Sequence, residues 1–168
     1  MAETTIDERL KSLDEALDKF ERDAGLPVNS PPGSETELNE YLHMDRNDIE
    51  RLSGSDCAAI AYRLGQFSLY VQRMINRDKA RLTWAKTQLA SFVTNDADYD
   101  KYRKFEVAVE LLAKSNTAVA RLSLIMRWSQ QRIDRLEYVA TSLKSLSDIM
   151  ITNQRAKRNA EFANNEQE

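Results

Sequence analysis

Two rows of side chains spaced at intervals of seven carry what chemistry this sequence offers: Arg63, Tyr70, Arg77 and Trp84, then Lys114, Arg121, Trp128 and Arg135. A period-seven row drifts only about 20° per step on an α-helix, so each stays on one side of its helix. Cationic groups neutralise phosphates, and aromatic faces accept stacked bases. Together they are the equipment of sequence-tolerant single-strand binding. Arg73, Lys79 and Arg81 fall beside the first row, and the stretch from Arg77 to Trp84 packs three cations and an indole into about two helical turns. The plainer reading is that charged rows are the solvated face of a helix.

Such rows need long helices to hold them. From Gln66 to Glu168 there is neither Gly nor Pro, so the strongest turn punctuation is missing from most of the chain. Ser55 caps a predicted helix from Asp56 to about Thr94. In it Cys57, Ala61, Leu64, Ser68, Val71, Ile75, Asp78, Leu82, Ala85, Leu89 and Phe92 keep a 4-and-3 spacing. Asn95-Asp96-Ala97-Asp98, rich in side chains that bond their own backbone, reverses the chain. A second helix is predicted from Tyr99 to about Lys157, with Phe105, Val109, Leu112, Asn116, Val119, Leu122 and Met126 continuing to Met150 along one side. Folded as a hairpin, residues whose numbers sum to about 193 should meet. That register puts Trp128 opposite Gly65, as core or as interface, and brings Arg121 and Lys114 level with Arg73, Lys79 and Arg81. It also leaves Tyr138 to Met150 overhanging, to be covered by Leu38, Tyr41, Ile49 and Leu52 or by a second subunit. The expectation is an all-α fold: an elongated antiparallel hairpin of long helices with short N-terminal helices, oligomeric through that overhang.

Four regions follow. Residues 1–23 form an acidic amphipathic helix: Ile6, Leu10, Leu13, Leu17 and Phe20 make a seam, and Thr5 with Glu8 a capping box. Alone it is marginal, so it must dock on the body, a sister subunit or another protein. Residues 24–36 hold all three prolines and two of the four glycines, and read as a flexible linker. Residues 37–158 form the hairpin body, opened by a Ser34/Glu37 capping box, and residues 159–168 a polar tail.

The net charge of −3 conceals a division. Residues 1–54 hold 6 basic and 14 acidic side chains, and residues 55–168 hold 18 basic and 13 acidic. An acidic front masks a basic body. One cysteine, Cys57, forms no internal disulfide, and one histidine, His43, assembles no Cys/His zinc site, so no metal or cofactor is expected. Asp96, Asp98 and Asp100 alternate like the start of a calcium loop but lack its Gly and its terminal Glu. With no convergent acid, base and nucleophile, the chain is not read as an enzyme. No apolar h-region and no run of about 18 apolar residues occurs, so a soluble, cytoplasmic protein is expected, in the host cytoplasm if it is viral.

Lys79-Ala80-Arg81-Leu82 with Trp84 close behind resembles the basic motif of bacteriophage recombination mediators of the UvsY type, which read Lys-Ala-Arg-Leu and then tyrosines. Asp100-Lys101-Tyr102-Arg103-Lys104-Phe105-Glu106 is similar to that family's Asp-basic-Tyr-x-Lys-x-Glu segment, and the two together cover about Cys57 to Arg155. The chain departs from the pattern in lacking the Gly after the tyrosines and in carrying an acidic arm. The resemblance implies a non-enzymatic, ring-like homo-oligomer that binds single-stranded DNA and helps a RecA-like recombinase displace single-strand-binding protein. Lys79 and Arg81 would be the DNA contacts. The rivals are a coiled-coil scaffold and an adaptor working through its N-terminal helix.

Overall fold

The computed structural model describes residues 5–96 and 104–165, and among them every regular element is an α-helix. Six follow in order: α1 (Ile6–Asp23), α2 (Glu35–His43), α3 (Arg46–Arg51), α4 (Gly54–Thr94), α5 (Phe105–Ser115) and α6 (Thr117–Asn165). Local chemistry sets their starts. Thr5 and Glu8 satisfy each other's backbone amides at α1, with Thr5 N–H donating to Glu8 Oε2 at 2.7 Å. Ser34 accepts from the Glu37 amide at α2, and Asp45 and Asp48 form a second reciprocal box at α3. At α4 the cap is Ser53 and not Ser55: Asp56 N–H donates to Ser53 Oγ at 3.1 Å, while Ser53 N–H and Oγ donate back to Asp56 Oδ2. Gly25, at φ 73°, ends α1 in the left-handed region that costs glycine least.

The chain divides into two compact units. The first holds residues 1–28 and 74–135, and so contains α1, the second half of α4, α5 and the start of α6. Its core joins Ile6 of α1 to Ala85, Leu89 and Val93 of α4, Ala108 and Val109 of α5, and Val119, Leu122 and Ile125 of α6. The acidic N-terminal helix therefore docks on the body of its own chain.

The second unit holds residues 29–73 and 136–168. Cys57, Ile60, Ala61, Leu64, Phe67 and Val71 of α4 are buried there, as are Ala140, Leu143 and Met150 of α6. Lys157 Nζ of α6 donates to the carbonyls of Ile49, Glu50 and Leu52, a cation placed where the short α3 leaves its last carbonyls open. Tyr41 of α2 donates to Glu37 at 2.8 Å, and Glu37 accepts from Arg63 of α4 at 3.1 Å.

Long helices paired as a hairpin are present, with three corrections of detail. The predicted helix from Tyr99 to Lys157 is two helices, broken at Asn116, which closes α5 through its own amide and caps α6 by accepting from Ala118 N–H at 2.9 Å and Val119 N–H at 3.2 Å. Asn at an apolar seam position competes for the backbone more effectively than it packs. The register differs as well, because residues 105–115 form a separate helix that packs into the same core as α4 and α6. In the second unit Ser68 donates to the Ala140 carbonyl and Ser147 to the Ala61 carbonyl, pairs that sum to 208. Tyr138 to Met150 thus do not overhang: Leu143 is 0% exposed and Met150 1% within the chain. Gly65 faces open space, with no indole beside it. Asp98, the start at Tyr99 and the Asp100 to Arg103 part of the second motif lie outside the described residues.

Candidate nucleic-acid interface

The first unit brings together Arg77 and Arg81 of α4 and Arg121 of α6, and does so against one helix. Arg77 pairs with Asp18 and also reaches the Asp14 carbonyl, at 3.4 Å. Arg81 grips Asp14 with two bonds, Nε to Oδ1 at 2.9 Å and Nη2 to Oδ2 at 2.8 Å. Arg121 Nε donates to Asp7 Oδ1 at 2.8 Å. All three partners lie on α1, with Asp7 and Asp14 seven residues apart and Asp18 four further on. Along a helix axis they sit at intervals of about 11 and 6 Å, a linear row of anions facing a row of guanidinium groups.

Beneath this row lies a buried acid. Asp78, 3% exposed, occupies a seam position of α4. Arg132 of α6 donates to both its oxygens, at 2.8 and 2.7 Å, and Arg81 Nη1 approaches Oδ1 at 3.3 Å. The result is an alternating chain of charge, Asp14, Arg81, Asp78, Arg132, tying α1 to α4 and α4 to α6. Hydrogen bonding to Asp14 raises the Arg81 pKa above its ordinary range against the opposing effect of burial, and Asp78 does the same for Arg132. Both guanidinium groups are held charged.

The aromatic members separate. Trp84 is half-buried against the core of the first unit. Trp128 is 46% exposed, and the Arg121 guanidinium lies 5.6 Å from its ring centre. The cation lies over a ring face as a cation–π pair at the surface. Lys114 is exposed on the rim of a groove of about 820 Å3 lined by Phe105, Val109, Ala113 and Met126. Lys79 and Arg135 are exposed. Arg63, Tyr70 and Arg73 belong to the second unit, where Arg63 also donates to the Pro32 carbonyl at 2.9 Å. Arg81, expected on an outward face, is half-buried by the acids that hold it.

Sequence reasoning overlooked Asp78 with Arg132, and Asp7, Asp14 and Asp18. A carboxylate at a seam position is the signal for the first pair, since a buried charge demands a counter-ion. The heptad interval shared by Asp7 and Asp14 with the basic rows is the signal for the others.

The hold on α1 is uneven along its length. Ile6 is buried, Leu10, Leu13 and Leu17 are half-buried, and Phe20 is 69% exposed. Apolar anchoring therefore fades toward its C-terminal end, where the Arg81 and Arg77 pairs take over. Partly exposed pairs of this kind contribute on the order of 1 kcal/mol each.

Among the described residues no group of His, Cys, Asp and Glu side chains is placed to hold a metal ion, and no helix is long and apolar enough to cross a membrane. Comparison with protein-family models, with curated proteins and with solved structures finds no match for this chain.

Proposed function

We propose that this chain is a non-enzymatic single-stranded-DNA-binding protein that acts as a recombination mediator, helping a RecA-like recombinase take the place of single-strand-binding protein. The observation that carries the binding step is the line of Arg121, Arg81 and Arg77 on two helices of one unit, already engaged by a linear row of carboxylates. A surface that accepts a line of anions has the charge to accept phosphates, and the exposed part of the Trp128 indole, with Arg121 over its ring, offers a base somewhere to stack. The mediator role rests on the Lys79-Ala80-Arg81-Leu82 resemblance.

The same ion pairs favour a second reading. A helical scaffold would use them only to hold α1 in place, and would leave nucleic acid alone. Titrating a fluorescein-labelled oligothymidylate at about 50 and 200 mM salt separates the two, because phosphate contacts release counterions and lose affinity steeply over that range. Binding at low salt that weakens sharply with salt is expected. No binding at low salt refutes the proposal in favour of the scaffold.

A further inference from the structure

We infer that α1 is a built-in cover for this basic face: a tethered row of carboxylates that occupies the phosphate positions and must be displaced before nucleic acid can bind. The inference rests on the binding function proposed above and adds its regulation.

Three observations of the first unit point the same way. Three acids of α1 are matched one to one with arginines of α4 and α6: Asp7 with Arg121, Asp14 with Arg81, Asp18 with Arg77. The helix is held mainly by charge toward its C-terminal end, where Phe20 is exposed. A contact of that kind loosens when a competing polyanion or added salt screens it. Arg81 and Arg132 also share Asp78, which stays with the body when α1 leaves, so the uncovered face keeps its architecture. Covalent attachment makes α1 a competitor at high effective concentration, one that a single short anion meets at a disadvantage and a long single strand overcomes by many simultaneous contacts.

The test compares the full chain with a D7N/D14N/D18N variant, which keeps the size of all three side chains and removes their charge. If the face is covered about nine-tenths of the time, uncovering it tightens apparent affinity for labelled oligothymidylate about tenfold. The gap should narrow as salt is raised, since salt weakens the cover in the wild type as well. In parallel, amide hydrogen exchange across α1 of the wild-type chain should speed up when oligothymidylate is added. This second measurement decides the matter if the variant folds poorly. Equal or weaker binding by a folded variant, or α1 amides whose exchange DNA leaves unchanged, overturns the cover and leaves DNA binding standing. Absence of binding by both proteins overturns the cover together with the function on which it rests.

Discussion

Replacing Asp78 with Ala removes the acid at the centre of the Asp14, Arg81, Asp78, Arg132 chain. Charge-assisted bonds contribute about 1.5 to 3 kcal/mol each, and the substitution deletes the two from Arg132 together with the longer approach of Arg81. That sum overstates the cost. The Arg132 side chain is 45% exposed and regains water, Arg81 keeps both bonds to Asp14, and Ala returns a few tenths of a kcal/mol of helix propensity. A loss of about 2 kcal/mol remains. With a urea slope of about 2 kcal/mol per molar, the unfolding midpoint should fall by about 1 M. Asp78→Leu separates the charge from the seam: it buries an apolar side chain, which contributes about 1.5 to 3 kcal/mol, and should return stability close to wild type. A double-mutant cycle with Arg132→Ala should show a coupling of about 1 kcal/mol or more. The reasoning fails if Asp78→Ala unfolds at the wild-type midpoint, or if Asp78→Leu is as damaging as Asp78→Ala.

Four further outcomes are expected. Leu143→Asp puts a carboxylate into a fully buried site of the second unit, at a cost of several kcal/mol, and should unfold that unit at any protein concentration; a variant of normal helicity by circular dichroism would restore the idea that Leu143 serves a subunit contact. Asn116→Ala should cost about 1 kcal/mol in urea unfolding, through loss of the α6 cap. Arg77→Gln with Arg81→Gln should reduce the magnitude of the salt slope of oligothymidylate binding by about 1.4, and an unchanged slope would remove both from the interface. For Asp56, hydrogen bonds from Ser53 hold the carboxyl pKa below the usual range, so the cap is at full strength above that range and is lost as pH falls through the native value. Wild type should therefore be more stable than Asp56→Asn at neutral pH, with the difference in urea midpoint closing in acid.

The helical class was legible because it rests on local terms. Absence of Gly and Pro after Gly65, 4-and-3 apolar spacing, and the Thr5/Glu8 and Ser34/Glu37 boxes each act within a few residues, and the first turns of α1 and α2 follow them. The basic rows were visible in the same way, since a period of seven needs no tertiary knowledge. The register was not. Asn116 ends one helix and caps the next, and α4 meets α6 further along than a single continuous helix predicts, as the Ser68–Ala140 and Ser147–Ala61 bonds show. Leu143 and Met150 changed from an overhang seeking a second subunit to interior residues of one chain.

By itself, then, the sequence determined which segments are helical, that the front is acidic and the body basic, and that cations and indoles recur on helix faces. Only the tertiary structure decided what those faces meet. The acidic helix could have docked on its own body, on a sister subunit or on another protein, and nothing within α1 distinguishes these. Docking on the body is decided by partners far away in sequence: Ile6 enters a core made by α4, α5 and α6, and Asp7, Asp14 and Asp18 reach arginines on α4 and α6. Charge pairing and apolar burial are set by distance in space, which a linear pattern does not record, and so three of the cations that read as an open phosphate-binding surface, Arg77, Arg81 and Arg121, stand in the structure against a row of carboxylates.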